Sequence, residues 1–305
     1  MRTILALLAL APLLPAQPQR ARILGVAHIA LYVSDIEKSR AFYKDFLGFG
    51  EPFQIDNPDK SLALTFIKVN DRQYIELFPG LKPGADRLNH ISIQTDDAET
   101  MRVYLASRGV AVPAKTPKGR IKNSNFNVKD PDGHTVEIVQ YEPDGFTVRE
   151  KGKYMTDARA SDRILHLGII VGDLAAANKF YGDILGFREI WRGSSNGTTL
   201  SWTNMQVPDG EDYIEFMLYK DLPDPDKRGT QHHICLLTPN LAKTQAKLEA
   251  LPYRKTYTRP MEARTGVNRK RQLNLFDPDG TRVELMEPVT VDGKPAPPST
   301  APPPR

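Results

Sequence analysis

The chain repeats itself. His28 to Phe49 reads HIALYVSDIEKSRAFYKDFLGF and His166 to Phe187 reads HLGIIVGDLAAANKFYGDILGF, with nine of 22 positions identical at a constant offset of 138. Further on, LNHISIQT (Leu88–Thr95) matches QHHICLLT (Gln231–Thr238), and NVKDPDGHTVEIV (Asn127–Val139) matches NLFDPDGTRVELM (Asn274–Met286). A repeat is the strongest single constraint on a fold, because each copy must build the same unit. The order of blocks is the same in both halves. The 305 residues therefore hold two copies, residues 23–143 and 163–288, joined by a charged linker, residues 144–162.

Both ends fall outside the repeat. Met1-Arg2-Thr3 is a short basic start, Ile4 to Leu14 is almost wholly apolar, and Leu14-Pro15-Ala16 precedes a polar stretch. That apolar run is shorter than the about 20 residues needed to span a bilayer. It fits a signal peptide, residues 1–16, removed on export to the periplasm or the medium. The tail, residues 289–305, carries six prolines in 17 residues and is expected to be disordered. With 41 Lys+Arg against 37 Asp+Glu, the chain lacks the strong basic excess of a nucleic-acid binder. Its single cysteine, Cys235, excludes an intrachain disulfide and any thiolate metal cluster, and is expected to be a buried lone thiol.

Each copy is itself doubled. Gly25–Val33 alternates as a strand does. Ser34 and Glu37 have the spacing of a capping box. A helix is expected over Asp35–Leu47, closed by Gly48, then strands at Phe49–Ile55, Ser61–Val69 and Gln73–Phe78. The second part restarts with a strand at Leu88–Thr95 and a helix at Asp97–Arg108. It ends in strands at Asn125–Lys129 and Thr135–Tyr141 around the turn Asp130-Pro131-Asp132-Gly133. The pattern is strand, helix, three strands, four times per chain. Two such modules side by side make a cupped surface.

Four of the six histidines fall on equivalent strand positions: His28 with His166, and His90 with His233. His134 follows a turn glycine and reads as a surface residue. His232 alternates to the face opposite His233. Four glutamates interrupt aliphatic strands in the same way: Glu76 with Glu215, and Glu137 with Glu284. Burying unpaired carboxylates is costly, and converging carboxylates repel, so a cation is their natural partner. Each copy shows His, Glu, His, Glu in that order, with gaps of 48, 14 and 47 residues in the first and 49, 18 and 51 in the second. Two imidazoles and two carboxylates neutralise a divalent ion. Mixed nitrogen and oxygen donors suit Ni, Co, Zn, Mn or Fe better than Ca or Mg.

The H…FY…LGF block, the Y-I-E strand, the N-H-I or H-H-I strand and the DPDG…VE turn-strand together resemble the vicinal oxygen chelate superfamily. This group includes glyoxalase I, methylmalonyl-CoA epimerase, extradiol dioxygenases and bleomycin- and fosfomycin-resistance proteins. The resemblance implies an α+β fold of paired βαβββ modules in two tandem domains. It implies that His28, Glu76, His90 and Glu137, and equally His166, Glu215, His233 and Glu284, occupy the family's four ligand positions. It further implies a reaction in which a metal chelates two neighbouring oxygens of a small substrate and stabilises an enediolate-like oxyanion. Glu137 and Glu284 would then serve as ligand and base, with Glu76 or Glu215 as the opposed acid/base.

Four ligand positions per copy favour a glyoxalase or epimerase type of enzyme, a metal-dependent lyase or isomerase. The alternatives are an Fe(II) extradiol dioxygenase, which uses two His and one Glu, and a non-catalytic resistance-type binder, which generally lacks the metal residues. Export argues against glutathione adducts as substrate. Arg120, Lys122, Arg269 and Arg271, in basic loops shared by both copies, are the candidate substrate-binding cations. Trp191 and Trp202 occur only in the second copy. The expected partner is a small molecule with vicinal oxygens, with no nucleic acid and no membrane, bound by a monomer or homodimer. The spacing leaves open whether each donor set closes within one copy or across the pair.

Overall fold

The computed structural model describes residues 18–304, so the expected signal peptide lies outside the described residues. The first sheet comprises β1 (Ile23–Val33), β2 (Gly50–Asp56), β3 (Leu62–Lys68), β4 (Tyr74–Pro79), β5 (Leu88–Thr95), β6 (Ser124–Lys129) and β7 (Thr135–Gln140), in the order β2-β3-β4-β1-β5-β7-β6. The second comprises β8 (Ile164–Val171), β9 (Arg188–Gly193), β10 (Trp202–Gln206), β11 (Tyr213–Leu218), β12 (His233–Leu237), β13 (Arg264–Thr265), β14 (Lys270–Phe276) and β15 (Arg282–Thr290). Its order, β9-β10-β11-β8-β12-β15-β14-β13, repeats the first and adds β13 at one edge. Helices α1 (Ile36–Arg40), α2 (Ala98–Ser107), α3 (Phe146–Arg149), α4 (Leu174–Ala177) and α5 (Leu241–Glu249) connect the strands. Both α1 and α4 run on into π-helical turns, Ala41–Phe46 and Asn178–Ile184. This is the expected pair of tandem βαβββ domains. The second module of each domain is reduced: two strands follow α2, and only the two-residue β13 supplies the third after α5. No described helix is long and apolar enough to cross a membrane.

Strand alternation sorts the residues into two faces. Ile29 and Leu31 of β1, Ile75 and Leu77 of β4, Ile91 and Ile93 of β5, and Val136 and Ile138 of β7 join one apolar core with the helices. The residues between them, His28, Glu76, His90 and Glu137, face the other way. The second domain repeats this with Leu167 and Ile169, Ile214 and Phe216, Ile234 and Leu236, and Val283 and Leu285. Each fully buried Leu, Ile or Phe contributes about 1.5–3 kcal/mol, so the helix-side face holds the fold and leaves the opposite face for chemistry.

The two domains share that core. Phe46 of the first stacks on Tyr253 of the second with ring centroids 5.1 Å apart, and the Tyr104 hydroxyl donates to the Ile184 carbonyl at 2.7 Å. Each DPDG turn is also clasped by the other domain. Tyr43 donates to Asp277 at 3.1 Å, and its repeat counterpart Tyr181 donates to Asp130 at 3.0 Å. The Ser34 backbone N–H donates to Asp279 at 3.0 Å, and that of Gly172 to Asp132 at 2.9 Å.

Three local expectations are corrected. Ser34 does not form a capping box: Asp35 caps α1, accepting from the N–H groups of Glu37 and Lys38, because Ser34 is already bound to Asp279. His134 is not a surface residue. Its side chain is 9% exposed, its Nδ1 lies 2.8 Å from Asp130, and its ring packs edge-on against His232 at 5.1 Å. The proline-rich tail is ordered beside β9 and the loop that follows it: Ser299 N–H donates to the Arg192 carbonyl at 2.9 Å and Leu200 N–H to the Pro302 carbonyl at 2.8 Å. Proline carbonyls accept as well as any others, and an edge strand offers unpaired groups to such a segment.

Candidate metal centres

The pairing of β1 with β5 joins the two modules of the first domain into one sheet, and it settles where the donors meet. Tyr74 of β4 pairs with His28 and Glu76 with Ala30 in parallel register. On the other side of β1, His90 pairs with Ala30 and Ser92 with His28, and Glu137 of β7 pairs with Ser92. Four adjacent strands thus place His28, Glu76, His90 and Glu137 on one patch of one face. His28 Nε2 lies 2.9 Å from His90 Nε2, 2.7 Å from Glu137 Oε2 and 3.4 Å from Glu76 Oε1. The second domain repeats the construction. His166 Nε2 lies 3.1 Å from His233 Nε2, 3.7 Å from Glu215 and 3.6 Å from Glu284, and His233 Nε2 lies 3.4 Å from Glu215. Each set closes within its own domain, and all eight expected ligand residues converge, four and four.

The donor chemistry fits a divalent transition metal. Ligands about 2.0–2.2 Å from a metal ion are about 3 to 3.5 Å from one another at right-angled or tetrahedral disposition, and these pairs, at 2.7 to 3.7 Å, straddle that range. The imidazoles are pre-oriented. His90 Nδ1 meets the Asn89 side-chain oxygen at 2.9 Å and His233 Nδ1 meets the Gln231 carbonyl at 2.7 Å. An Nδ1–H committed to those acceptors leaves the Nε2 lone pair for a metal. Asn125 donates to Glu137, a supporting contact that sequence reasoning missed. Asn125 lies two residues before Asn127, the first residue of the matched DPDG block, so period-2 alternation signals its face.

Burial holds His28, His166 and His233 below the ordinary imidazole value, and the charge of Arg282 adds to this for the last two. The carboxylates are driven apart. Burial and the charge of Glu137 raise Glu76 well above the usual range. Burial also opposes charge on Glu137, but the imidazoles of His28 and His90 outweigh it and hold that carboxyl low. Burial and the charge of Glu284 raise Glu215 to about 8, against the opposing charge of Arg282. Such unequal sharing of protons within one site is a property of acid/base pairs.

The two cups differ in their walls. The first, about 210 Å³, has Leu64, Phe66, Tyr74 and Phe78 in its wall together with Arg120, Asn123 and Asn125. The second, about 310 Å³, has Trp191, Trp202, Arg264 and Arg282 in its wall. Strand pairing makes Leu64 the counterpart of Trp202, and Phe66 that of Asn204. Of the four cations expected to bind substrate, Arg120 lines the first cup. Lys122 instead faces Asp144 at 3.9 Å, Arg269 is tied to Asp292, and Arg271 is exposed on β14 beside Gln272, which lines the second cup. Successive strand residues face opposite ways, so Arg271 points out where Gln272 points in. Cys235 is buried as expected, but it lies in the second centre beside His166 and Glu284, where the first domain has Ser92.

Comparisons with known proteins follow these residues. Lactoylglutathione lyase of Schizosaccharomyces pombe is 26% identical over 218 residues, 65% of this chain and 66% of that enzyme, just under two thirds of its length. The 2,3-dioxygenase LapB of Pseudomonas sp. KL28 has a similar fold, with a TM-score of 0.67 at 17% identity, covering 91% of this chain and 97% of LapB. The Mn(II)-bound glyoxalase of Novosphingobium aromaticivorans superimposes with a TM-score of 0.66 at 16% identity, covering 88% of this chain and 83% of the glyoxalase. The family model described as Glyoxalase/Bleomycin resistance protein/Dioxygenase superfamily matches residues 25–138 and again residues 163–285. Those two matches contain both donor sets, and the chain belongs to that superfamily.

Proposed function

We propose that this protein is a divalent-metal-dependent enzyme of the glyoxalase or epimerase type, moving a proton at a carbon next to two vicinal oxygens of a small substrate. The observation that carries this reading is the complete His, Glu, His, Glu set in each domain, with two carboxylates approaching the same imidazoles from strands on opposite sides of β1 or β8. A bound divalent metal supplies Lewis-acid stabilisation of charge developing on chelated oxygens. The chain supplies the rest. His28 and His90, or His166 and His233, present nitrogen donors. Glu137 or Glu284 accepts a proton from the substrate carbon, and Glu76 or Glu215, on the far side of the donor set, returns one. Leu64, Phe66 and Phe78 in the wall of the first cup would limit water at that exchange.

The test has two parts. Protein purified without a metal-binding tag and reconstituted with Ni, Co, Zn, Mn or Fe is expected to retain up to two equivalents by elemental analysis. Less than about a tenth of an equivalent overturns the reading. The loaded enzyme is then offered 2-oxoaldehyde hemithioacetals, 2-hydroxy acids, 2-oxo acids and catechols. Deuterium uptake from D2O at the carbon beside the oxygens, lost in the double variant Glu137→Gln, Glu284→Gln, supports proton transfer. Oxygen consumption with catechols instead establishes the dioxygenase reading, which LapB's likeness in fold keeps in view. Export with cleavage after Ala16 is part of the same proposal, supported by the basic start and apolar run of residues 1–14. Intact-mass measurement of the native protein with Met1–Ala16 retained refutes it.

A further inference from the structure

The second cup has a feature that metal binding and proton transfer do not use. Arg264 and Arg282 line it together with Trp191 and Trp202. Neither guanidinium is in an ion pair with a described carboxylate. The acids nearest Arg282, Glu215 and Glu284, contact the imidazoles instead. Arg282 rests against His233, its Nη2 2.8 and 2.9 Å from the two ring nitrogens, and its Nε is buried with no hydrogen-bond partner among the described residues. His233 Nδ1 is committed to the Gln231 carbonyl, so a single lone pair, on Nε2, faces the guanidinium. That lone pair serves either the guanidinium or a cation. A cation taken up on that nitrogen would deprive Arg282 of its acceptor there.

Other unpartnered polar atoms lie beside it. Trp191 Nε1 and the side-chain oxygens of Asn204 and Asn274 are buried without partners, and Asn204 and Asn274 pair directly with Glu215 and Glu284 in the sheet. Leaving such groups unpaired is costly in a folded protein. Trp191 gives the cup a flat wall, because its ring lies over Gly193, where any Cβ would overlap it. The first cup is furnished differently: Leu64 and Phe66 stand for Trp202 and Asn204, Thr135 stands for Arg282, and Arg120 is the one guanidinium in its wall.

We propose that the second cup binds an aromatic, carboxylate-bearing ligand, its anionic group held by Arg264 and Arg282 and its flat ring against Trp191 and Trp202. Two unpaired guanidiniums match a carboxylate in charge and geometry, and indole walls favour a flat, unsaturated body. The inference deepens the proposed function by giving one of its two cups a substrate class, and it rests on that cup being a substrate site.

The chain has two tryptophans, both in this cup, so intrinsic tryptophan fluorescence reports on it alone. The probes are mandelate and its uncharged analogue mandelamide, titrated into the full chain with and without metal. Mandelate is expected to change the emission saturably and to bind about tenfold or more tightly than mandelamide. Arg282→Gln and Arg264→Gln should each reduce mandelate toward the mandelamide level. Arg282→Lys, which keeps the charge, should retain part of the preference, and Arg271→Gln, on the opposite face of β14, should retain all of it. Circular dichroism identifies any variant that fails to fold. Equal affinity for the two probes, a preference untouched by both glutamine variants, or no saturable response overturns the proposal. Metal content is measured on the same samples. A chain that takes up no metal yet prefers mandelate refutes the enzymatic reading and leaves the anion site standing. A metal-loaded chain with no preference refutes the anion site alone.

Discussion

The hydroxyl of Tyr43 donates to the carboxylate of Asp277, 234 residues away in sequence and in the other domain. Both residues belong to motifs present in each copy, and the copies exchange them: Tyr181 reaches Asp130 in the same way. The FY motif of one domain is therefore read by the DPDG turn of the other. Removing the hydroxyl leaves a buried carboxylate one donor short. Tyr43→Phe and Tyr181→Phe are each expected to cost about 1–3 kcal/mol in urea unfolding, with metal content unchanged.

The Asp277 carboxyl has an acid–base consequence. Burial raises it from 3.8 to about 6, against the hydrogen bonds from Thr281, Tyr43 and Asp279. The folded state therefore holds this proton more tightly than the unfolded state does. The associated stability is fully present below about pH 4 and is lost as pH rises through about 6. The shift corresponds to about 3 kcal/mol at most. Asp277→Asn, which keeps an acceptor for Thr281 and carries no charge, should abolish this component. The difference between wild-type and variant unfolding free energies, measured from about pH 4 to pH 7, should follow that titration.

Metal removal should act on stability as well as on activity. A ligand that binds only the folded state at a hundred times its dissociation constant stabilises by about 2.7 kcal/mol. Chelation is expected to lower the melting temperature by several degrees. His28→Ala and His166→Ala should each remove one equivalent of metal and about half of that shift, because each donor set closes within one domain.

Gly193 is where the wall of the second cup is most exposed to change. A methyl group there meets the six-membered ring of Trp191. Gly193→Ala should displace the indole, shift the tryptophan emission and cost about 1–3 kcal/mol in overpacking. The metal content of the first domain should be untouched.

The tail makes a separable contribution. It pairs with β9, the edge of the second sheet, and buries Ala301. A chain ending at Lys294 exposes that edge and loses two hydrogen bonds, each worth about 1 kcal/mol. A lower urea midpoint and time-dependent light scattering are the expected results.

The eight donor residues were legible in the sequence because they recur at equivalent strand positions in both copies, the glutamates between apolar neighbours, and a buried charge there requires a partner. Arg282 was missed. It stands two residues before Glu284 and so on the same face, but at the start of a strand, where a cation passes for a solvated end. The choice of Asp35 over Ser34 as helix cap was not legible, since either side chain can accept from the first turn, and a contact with Asp279, 245 residues away, decides it. Nor was the burial of His134, whose neighbours Asp130 and His232 meet only once the two domains pack. The order of the tail was missed for a related reason. Proline content excludes a core, but it does not exclude a backbone laid along a waiting edge.

The crossed tyrosine–aspartate contacts carry a further consequence. Exchanging the two domains leaves the pattern unchanged, which is the property of an isologous interface. A single copy carrying these motifs holds both halves of each contact it would make with a second copy. In such a pair both cups would be encoded once, and every substitution in one would appear in the other. Tandem fusion removes that coupling. Leu64 and Trp202, or Thr135 and Arg282, can diverge while the shared frame stays as it was, and one molecule can offer two differently furnished cups around the same four donors.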